Sequence, residues 1–329
     1  MTISKPKRAA KALMAALLAL ALALLVGACG GDDDDEGGGD GGGAQGIVSN
    51  PDNGNVTLTI GSKNFTEQIV LGEIYAQSLE AAGYRVRKAL NLGSEQVALQ
   101  ALRDGEISGY PEYTSTALTS FFDAAPEDVP SDPQRAYEES KAEFEREGLT
   151  AFPPTPFASA NAVGTLRSTA ERLGLRDVSD LEGKSQNLTL YGSPECRQRV
   201  DCLVGLEDGY GLEFERFTPV DIGLRYTVLD RGQADLSILF TTDAQLAADK
   251  DKYVILEDDR QIFPAGNVIF VTDEGVVREA GPDYERTITQ VQSGLTVRVM
   301  QELDARVDID RQEPADVARE YLQEAGYIG

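Results

Sequence analysis

The chain has 329 residues, enough for two domains, with 55 acidic against 30 basic side chains and a net charge of −25. A surface of this charge repels nucleic acid, so a nucleic-acid-binding function is excluded. Because the sequence contains no histidine, a histidine-based catalytic triad and a histidine-ligated metal site are excluded as well. No spacing of the carboxylates singles out an acid–base pair, so we predict that the chain is not an enzyme and has neither a metal nor a cofactor.

Residues 1–28 have the organisation of a secretory signal. A basic start is followed by an apolar stretch over 12–25, which is short for a membrane span. Small residues then precede Cys29 in an order that resembles a bacterial lipobox. The resemblance implies cleavage before Cys29 and lipidation of its thiol. A plain secreted protein with an incidental cysteine is the alternative.

The stretch over 29–55 consists almost wholly of Gly, Asp and other small or polar residues after the cysteine. Such a segment cannot bury enough apolar surface to fold, and its charges repel one another. We therefore predict a disordered tether that holds a folded domain away from a membrane. The acidic run at 32–36 could instead chelate calcium, but it lacks the spaced ligands and the turn of a calcium loop.

Residues 56–119 read as alternating strands and helices. Apolar residues alternate over 56–60, which predicts a strand. Thr66 is predicted to cap a helix that runs to Gly83, and a further strand and helix follow over 84–105. A third strand is expected at 107–110. This order predicts a parallel sheet, with a ligand site beyond the carboxyl ends of its strands.

Two motifs fall at those strand ends. They read Ser-Lys-Asn-Phe-Thr-Glu-Gln from Ser62 and Tyr-Pro-Glu-Tyr-Thr-Ser-Thr from Tyr110. Together they resemble the osmoprotectant-binding proteins of ABC importers, which are receptors for glycine betaine, choline and proline betaine. The resemblance extends from Val56 to the C-terminus, where 295–328 is similar to the closing helices of that family.

The resemblance implies a fold, a location and partners. The expected fold is the bilobal type II periplasmic-binding-protein fold, with two α/β lobes joined by a hinge. Lobe 1 would comprise 56–156 and 263–329, and lobe 2 would comprise 157–262, with segments 253–256 and 268–271 returning the chain to lobe 1. The implied protein is a monomeric, lipid-anchored receptor on the extracytoplasmic face of the membrane, which hands a small zwitterion to an ABC permease and its ATPase.

The family's mixed binding site can be carried over residue by residue. A methylated ammonium is held by aromatic faces through cation–π contact, and a carboxylate wants Lys, Arg or hydroxyl donors. Lys63, Tyr113 and Thr116 match the basic residue, the aromatic wall and the hydroxyl donor of the first lobe. Arg199 falls where the second lobe offers a guanidinium to the ligand carboxylate.

The sequence departs from the fullest form of the family's tyrosine cage. Asn161, Phe240 and Gly266 stand where such members place tyrosines. Phe240 still offers a ring face, whereas Asn161 and Gly266 cannot. Asn161 and Asn267 suggest a more hydrogen-bonded ligand, so an amino acid or another polar zwitterion is an alternative to a betaine. A tethered sensor without a role in transport is a further alternative.

Cys196 and Cys202 flank Arg199. Outside the cytoplasm an isolated cysteine pair predicts a disulfide. Six-residue spacing would place the thiols on different sides of a continuous helix, so the bridge requires a loop. The disulfide would stiffen the segment that presents Arg199 and lower the cost of ordering it on binding.

Overall fold

The structure is a computed structural model that describes residues 46–329. The predicted signal peptide, the lipidation site Cys29 and the predicted tether as far as residue 45 lie outside the described residues. Among the described residues, no helix is both long and apolar enough to cross a membrane.

Two sheets organise the described part of the chain. The first has the strand order β2-β1-β3-β11-β4, with β5 paired to β11, and the second has the order β10-β6-β9-β7-β8. The strands, in chain order, are β1 Thr57–Gly61, β2 Arg85–Ala89, β3 Gly109–Tyr113, β4 Leu149–Phe152, β5 Ala158–Ser159, β6 Asn161–Leu166, β7 Thr189–Gly192, β8 Arg216–Pro219, β9 Leu236–Phe240, β10 Tyr253–Ile255 and β11 Gly266–Asp273.

Helices cover both sheets. Residues 46–329 contain α1 Thr66–Ala81, α2 Glu95–Arg103, α3 Thr114–Thr116, α4 Pro133–Glu145, α5 Arg167–Leu173, α6 Leu203–Tyr210, α7 Arg225–Asp230, α8 Ala244–Ala248, α9 Glu274–Ala280, α10 Pro282–Gln292, α11 Val297–Asp308 and α12 Pro314–Glu324. The chain passes from the first sheet to the second between β5 and β6 and returns between β10 and β11. The described chain therefore forms two α/β lobes with two crossings.

One interior strand of the first sheet comes from late in the sequence. β11 lies antiparallel between β3 and β4, whereas β1 pairs in parallel with β2 and β3. Val268 and Phe270 belong to the core that contains α1, and Ile269 and Val271 belong to the core that contains α2 and α4. Burial on both faces explains this unbroken apolar run. The first sheet is mixed, so the prediction of a parallel sheet is right only for its first three strands.

Two predicted strands are placed differently in the structure. β3 spans Gly109–Tyr113 instead of ending at Tyr110, so Glu112 and Tyr113 are strand residues held by pairing to β11. β10 pairs antiparallel with β6, with Tyr253 opposite Leu166. The prediction that segment 253–256 returns the chain to the first lobe is therefore wrong, because its backbone hydrogen bonds are made within the second sheet.

The prediction of a disordered tether is also wrong for its last residues. Pro51–Asn55 forms a 3₁₀ helix capped by the side chain of Asn50. The carboxylate of Asp283 accepts a hydrogen bond from Asn50 at 2.8 Å and another from the buried Asn53 at 3.2 Å. Composition suggested disorder because little apolar surface is available, but specific side-chain hydrogen bonds attach this segment to the first lobe.

Thr66 does not cap α1 as predicted. The N-cap position is Phe65, which makes no side-chain capping bond, and Thr66 is the first helical residue. Its hydroxyl donates instead to a carboxylate oxygen of Asp308 on α11 at 2.5 Å. The hydroxyl of Thr66 therefore bonds to a residue distant in sequence and does not cap the helix.

Candidate functional site

A cavity of about 80 Å³ lies between the two lobes. The first lobe contributes the loop after β1, the end of β3 and the start of α2. The second contributes β6, β9 and the loop that follows β7. All six predicted binding residues line this cavity, namely Lys63, Tyr113, Thr116, Asn161, Arg199 and Phe240.

The first-lobe wall is built around a buried ion pair. Lys63 is 4% exposed and donates to the fully buried carboxylate of Glu112. Glu112 also accepts the backbone N–H of Tyr113 at 2.8 Å and the hydroxyl of Tyr110 at 3.2 Å. Burial raises the pKa of Glu112, and the charge of Lys63 opposes that rise. The pair keeps an ammonium group inside the wall of the cavity.

Three aromatic rings line the cavity from both lobes. The ring centroids of Phe65 and Tyr113 are 6.4 Å apart with planes at 18°, and those of Phe65 and Phe240 are 5.2 Å apart. The ammonium of Lys63 lies 4.7 Å from the Tyr113 centroid, and the guanidinium of Arg225 lies 4.0 Å from that of Phe240. Lys63 also lies 5.9 Å from the centroid of Phe65. The site thus offers aromatic surface suited to a cation, and cations of the protein itself already lie near all three rings.

Arg199 is the cation of the second-lobe wall that faces the first lobe. Its Nε donates to Asp201 at 2.7 Å, and its Nη2 donates to the same carboxylate. Its Nη1 lies 3.4 Å from Glu95 of the first lobe, and its Nη2 lies 3.5 Å from the hydroxyl of Thr116. Burial lowers the pKa of Arg199, but the charge and hydrogen bonds of Asp201 outweigh burial and hold the pKa above its ordinary value. Arg199 therefore spans the cleft.

The loop that carries Arg199 is closed on itself. Cys196 and Cys202 form a disulfide with their Cα atoms 5.1 Å apart, and both residues are buried. Asn161, at the start of β6, donates its side-chain amide to the backbone carbonyl of Asp201 at 2.9 Å. The second-lobe wall is consequently a short cross-linked loop tied to the edge of a strand.

Two predicted positions do not reach the cavity. Asn267 is 7% exposed, and its amide donates to the backbone carbonyls of Thr155 and Phe157, both at 3.0 Å. A Cβ at Gly266 would lie 2.3 Å from the hydroxyl and 2.7 Å from the backbone nitrogen of Ser115. The amide of Asn267 is therefore engaged beside the pairing of β5 with β11 and is not offered to a ligand, and Gly266 packs too closely on Ser115 to carry a side chain.

Sequence reasoning missed five residues that shape the site. These are Phe65, Glu95, Glu112, Asp201 and Arg225. Phe65 and Glu112 lie inside the two motifs, so a search for an aromatic wall and for a partner of Lys63 could have found them. Asp201 lies two residues from its partner Arg199, so a search for a local partner of that arginine could have found it. Glu95 and Arg225 carry no local signal, because their partners Arg199 and Asp243 come from other segments.

Two α/β lobes, joined by paired crossings and enclosing a cavity lined from both sides by rings and charges, define the class of bilobal solute-binding proteins. The family model described as the substrate-binding domain of ABC-type glycine betaine transport systems, OpuAC, matches residues 56–324. The chain belongs to this family. The family is one of transport proteins and not of enzymes.

Known relatives agree with this assignment. A glycine-betaine-binding protein of Pseudomonas aeruginosa is 35% identical over 280 residues, which cover 82% of this chain and 88% of the relative. The carnitine transport binding protein OpuCC of Listeria monocytogenes is 28% identical over 277 residues, which cover 83% of this chain and 88% of the relative.

Solved structures show the same fold. A crystal structure of a glycine betaine/carnitine/choline ABC transporter matches with a TM-score of 0.64 at 27% identity, covering 81% of this chain and 98% of that one. The predicted family, the type II fold and the role of a substrate-binding protein are thereby confirmed.

Proposed function

We propose that the cavity binds a small zwitterion with a methylated ammonium group, such as glycine betaine or carnitine. The protein delivers this ligand to an ABC permease and its ATPase as a monomer on the extracytoplasmic face, anchored by a lipid on Cys29. The observation that carries the proposal is the arrangement of three rings and a guanidinium around one small interlobe cavity.

The rings suit the cationic end of such a ligand. A methylated ammonium donates no hydrogen bonds, so aromatic faces can desolvate it without leaving a donor unpaired. Phe65, Tyr113 and Phe240 supply those faces, and the nearby carboxylates of Glu95 and Asp201 add favourable charge. A cationic group gains from both contacts.

The anionic end has a matching group in the second lobe. A guanidinium has five N–H donors, and Asp201 accepts two of those of Arg199. The Nη1 atom of Arg199 lies 3.4 Å from Glu95, which is longer than a usual N–H···O hydrogen bond. A ligand carboxylate at hydrogen-bonding distance could therefore replace that contact. Thr116, 3.5 Å from the same guanidinium, supplies a hydroxyl donor beside it.

One observation favours a different ligand. Glu95, Glu195 and Asp201 all line the cavity. A primary ammonium, as in an amino acid, could donate hydrogen bonds to these carboxylates, whereas a methylated one could not. An amino acid is therefore the second candidate.

Calorimetry with glycine betaine, carnitine, choline and proline tests the proposal. We expect a methylated ammonium compound to bind, and Phe65→Ala to weaken its binding by about tenfold or more because a cation–π face is lost. Phe122→Ala is the matched control, since Phe122 is a half-buried ring that packs on Phe144 outside the cavity. Binding of a primary or secondary amino acid alone would refute the betaine assignment.

The lipid anchor needs its own test. Cys29→Ala should abolish incorporation of a labelled fatty acid and release the protein from membranes. A variant that remains acylated and membrane-bound like the wild type would contradict the anchoring proposal while leaving ligand binding untouched.

A further inference from the structure

A second contact between the lobes lies behind the aromatic wall and is composed mainly of acids. Glu67 stands in the first turn of α1, and Asp304 and Asp308 stand on α11, all in the first lobe. Asp243, in the second lobe, precedes α8, which packs against α11. Gln245 on α8 donates to Asp308 at 3.3 Å, so the cluster lies within the contact between the lobes.

Two of these carboxyl groups are buried and incompletely bonded. Glu67 and Asp304 are each 5% exposed. Among the residues that the structure describes, Oε2 of Glu67 and Oδ1 of Asp304 accept no hydrogen bond. A buried ionised carboxylate with an unbonded oxygen is strongly unfavourable, whereas a protonated carboxyl group is tolerated and can donate.

The surrounding charges do not neutralise the pair. The charge of Lys63 acts on Glu67, but Lys63 is bonded to Glu112, and Arg225 is bonded to Asp243 at 2.8 Å. The remaining titratable groups that face the pair from α1, β3, α8 and α11 are Tyr75, Tyr113, Asp243 and Asp308. Of these, the hydroxyl of Tyr113 donates to Glu67, which connects the cluster to the cavity wall.

Electrostatics agree with this geometry. Burial, together with the charge of Asp243, raises the pKa of Glu67 to about 7, although the hydrogen bonds from Tyr113 and Thr242 and the charge of Lys63 oppose the rise. Burial also raises the pKa of Asp304 well above its ordinary value, and the charges of Glu67, Asp308 and Asp243 act in the same direction.

We propose that closure of the lobes takes up a proton at the Glu67–Asp304 pair, so that the protein holds its ligand more tightly as the pH falls. The pair does not line the ligand cavity. The inference rests on the proposed function only because measuring the pH dependence of binding requires a ligand that binds. Proton uptake belongs to the contact between the lobes and not to the chemistry of any one ligand.

The sign of the pH dependence follows from the linkage between proton binding and closure of the lobes. When the lobes part, water reaches the pair and each carboxyl returns towards its ordinary pKa, which for glutamate is 4.5. A carboxyl whose pKa is higher in the closed form binds a proton on closing. Closure is therefore favoured below the open-form value, and this advantage is lost as the pH rises from about 4.5 through about 7.

Calorimetry at pH 5.5 and pH 8.0, with the betaine that binds best, measures the effect. We expect the dissociation constant of the wild type to be about tenfold lower at pH 5.5, with net proton uptake seen in buffers of different ionisation enthalpy. Glu67→Gln, which mimics the neutral carboxyl, should flatten this profile and bind more tightly than the wild type at pH 8.0. Asp304→Asn should reduce the pH dependence in the same way.

Glu73→Gln is the matched control. Glu73 lies on the same helix and is similarly buried, but it pairs with Lys88 within the first lobe. It should keep the pH dependence of the wild type. A wild-type affinity that is equal at both pH values, or a pH dependence that survives both Glu67→Gln and Asp304→Asn, would overturn the inference and leave the proposed function standing.

A measurement without ligand separates the two proposals. Small-angle scattering of the ligand-free protein should show a smaller radius of gyration at pH 5.5 than at pH 8.0, and Glu67→Gln should remove the difference. If no betaine binds at either pH, the proposed function fails, and the scattering result alone decides the inference. An unchanged radius of gyration in the wild type would then reject it.

Discussion

The first-lobe and second-lobe walls of the cavity each present a cation, but they hold it differently. The side chain of Lys63 is 5% exposed and pairs with Glu112 on β3, within its own lobe. The side chain of Arg199 is 17% exposed, and it pairs both with Asp201 in its own loop and with Glu95 across the cleft. The first wall is complete within one lobe, whereas the second is completed only when the lobes meet.

This difference separates folding from binding. A buried pair within one lobe is part of the core, so breaking it leaves a buried charge unpaired in every state of the folded protein. A pair that spans the cleft contributes only to the closed arrangement, because each partner can meet water when the lobes part. The two cations should therefore respond differently to the same kind of substitution.

The largest expected effect is on stability, at Lys63. Lys63→Met should lower the free energy of unfolding by about 3–5 kcal/mol, because Glu112 is left buried without its cation. Denaturant unfolding measures the change. Lys252→Met removes the half-exposed pair with Asp230 and should cost less than about 1 kcal/mol. Equal losses in the two variants would show that the first wall is not a core element.

The second largest expected effect is a loss of ligand affinity when Arg199 is replaced. Arg199→Ala should weaken ligand binding by about 2–5 kcal/mol, since a charge-assisted contact is lost and Asp201 and Glu95 are left facing the closed cavity. Calorimetry measures the loss, and denaturant unfolding should show a smaller change than for Lys63→Met. Arg197→Ala, an exposed arginine two residues away that stacks on Phe217, is the control and should bind normally. Unchanged affinity in Arg199→Ala would place the ligand elsewhere.

The smallest effect is expected from the disulfide. Replacing both Cys196 and Cys202 by Ser should destabilise the second lobe by about 2 kcal/mol, because the closed loop is short. The affinity should fall by about fivefold, since ordering one long side chain, that of Arg199, on the freed loop costs about 1 kcal/mol. Thermal unfolding and calorimetry measure the two changes. An unchanged affinity would show that Asn161 and Asp201 are sufficient to hold the loop.

The two walls also differ in how well the sequence predicted them. The first-lobe residues lie in two short motifs, each at the end of a strand of an alternating α/β pattern, so Lys63 and Tyr113 could be assigned in advance. The second-lobe assignments came from single positions in a region without a local motif. Arg199, Asn161 and Phe240 do line the cavity. Gly266 and Asn267, which were also assigned from single positions, lie on β11 of the first sheet and pack against Ser115 and the segment before β5.

The class of fold and the family follow from the sequence alone, because strand and helix periodicities and the two motifs are local properties of the chain. It also indicated the cysteine pair, since isolated cysteines six residues apart are visible without any structure. These features depend on residues close together in sequence, and their physical causes act over the same short range.

The partners of the charged groups could be identified only from the folded structure. The bonds from Lys63 to Glu112, from Arg199 to Glu95 and from Gln245 to Asp308 join segments 49, 104 and 63 residues apart. The place of β11 between β3 and β4 likewise depends on which apolar run is buried on both faces. Pairing and burial are set by what the folded chain brings together, and that determines which acids are neutralised and which remain at the contact between the lobes.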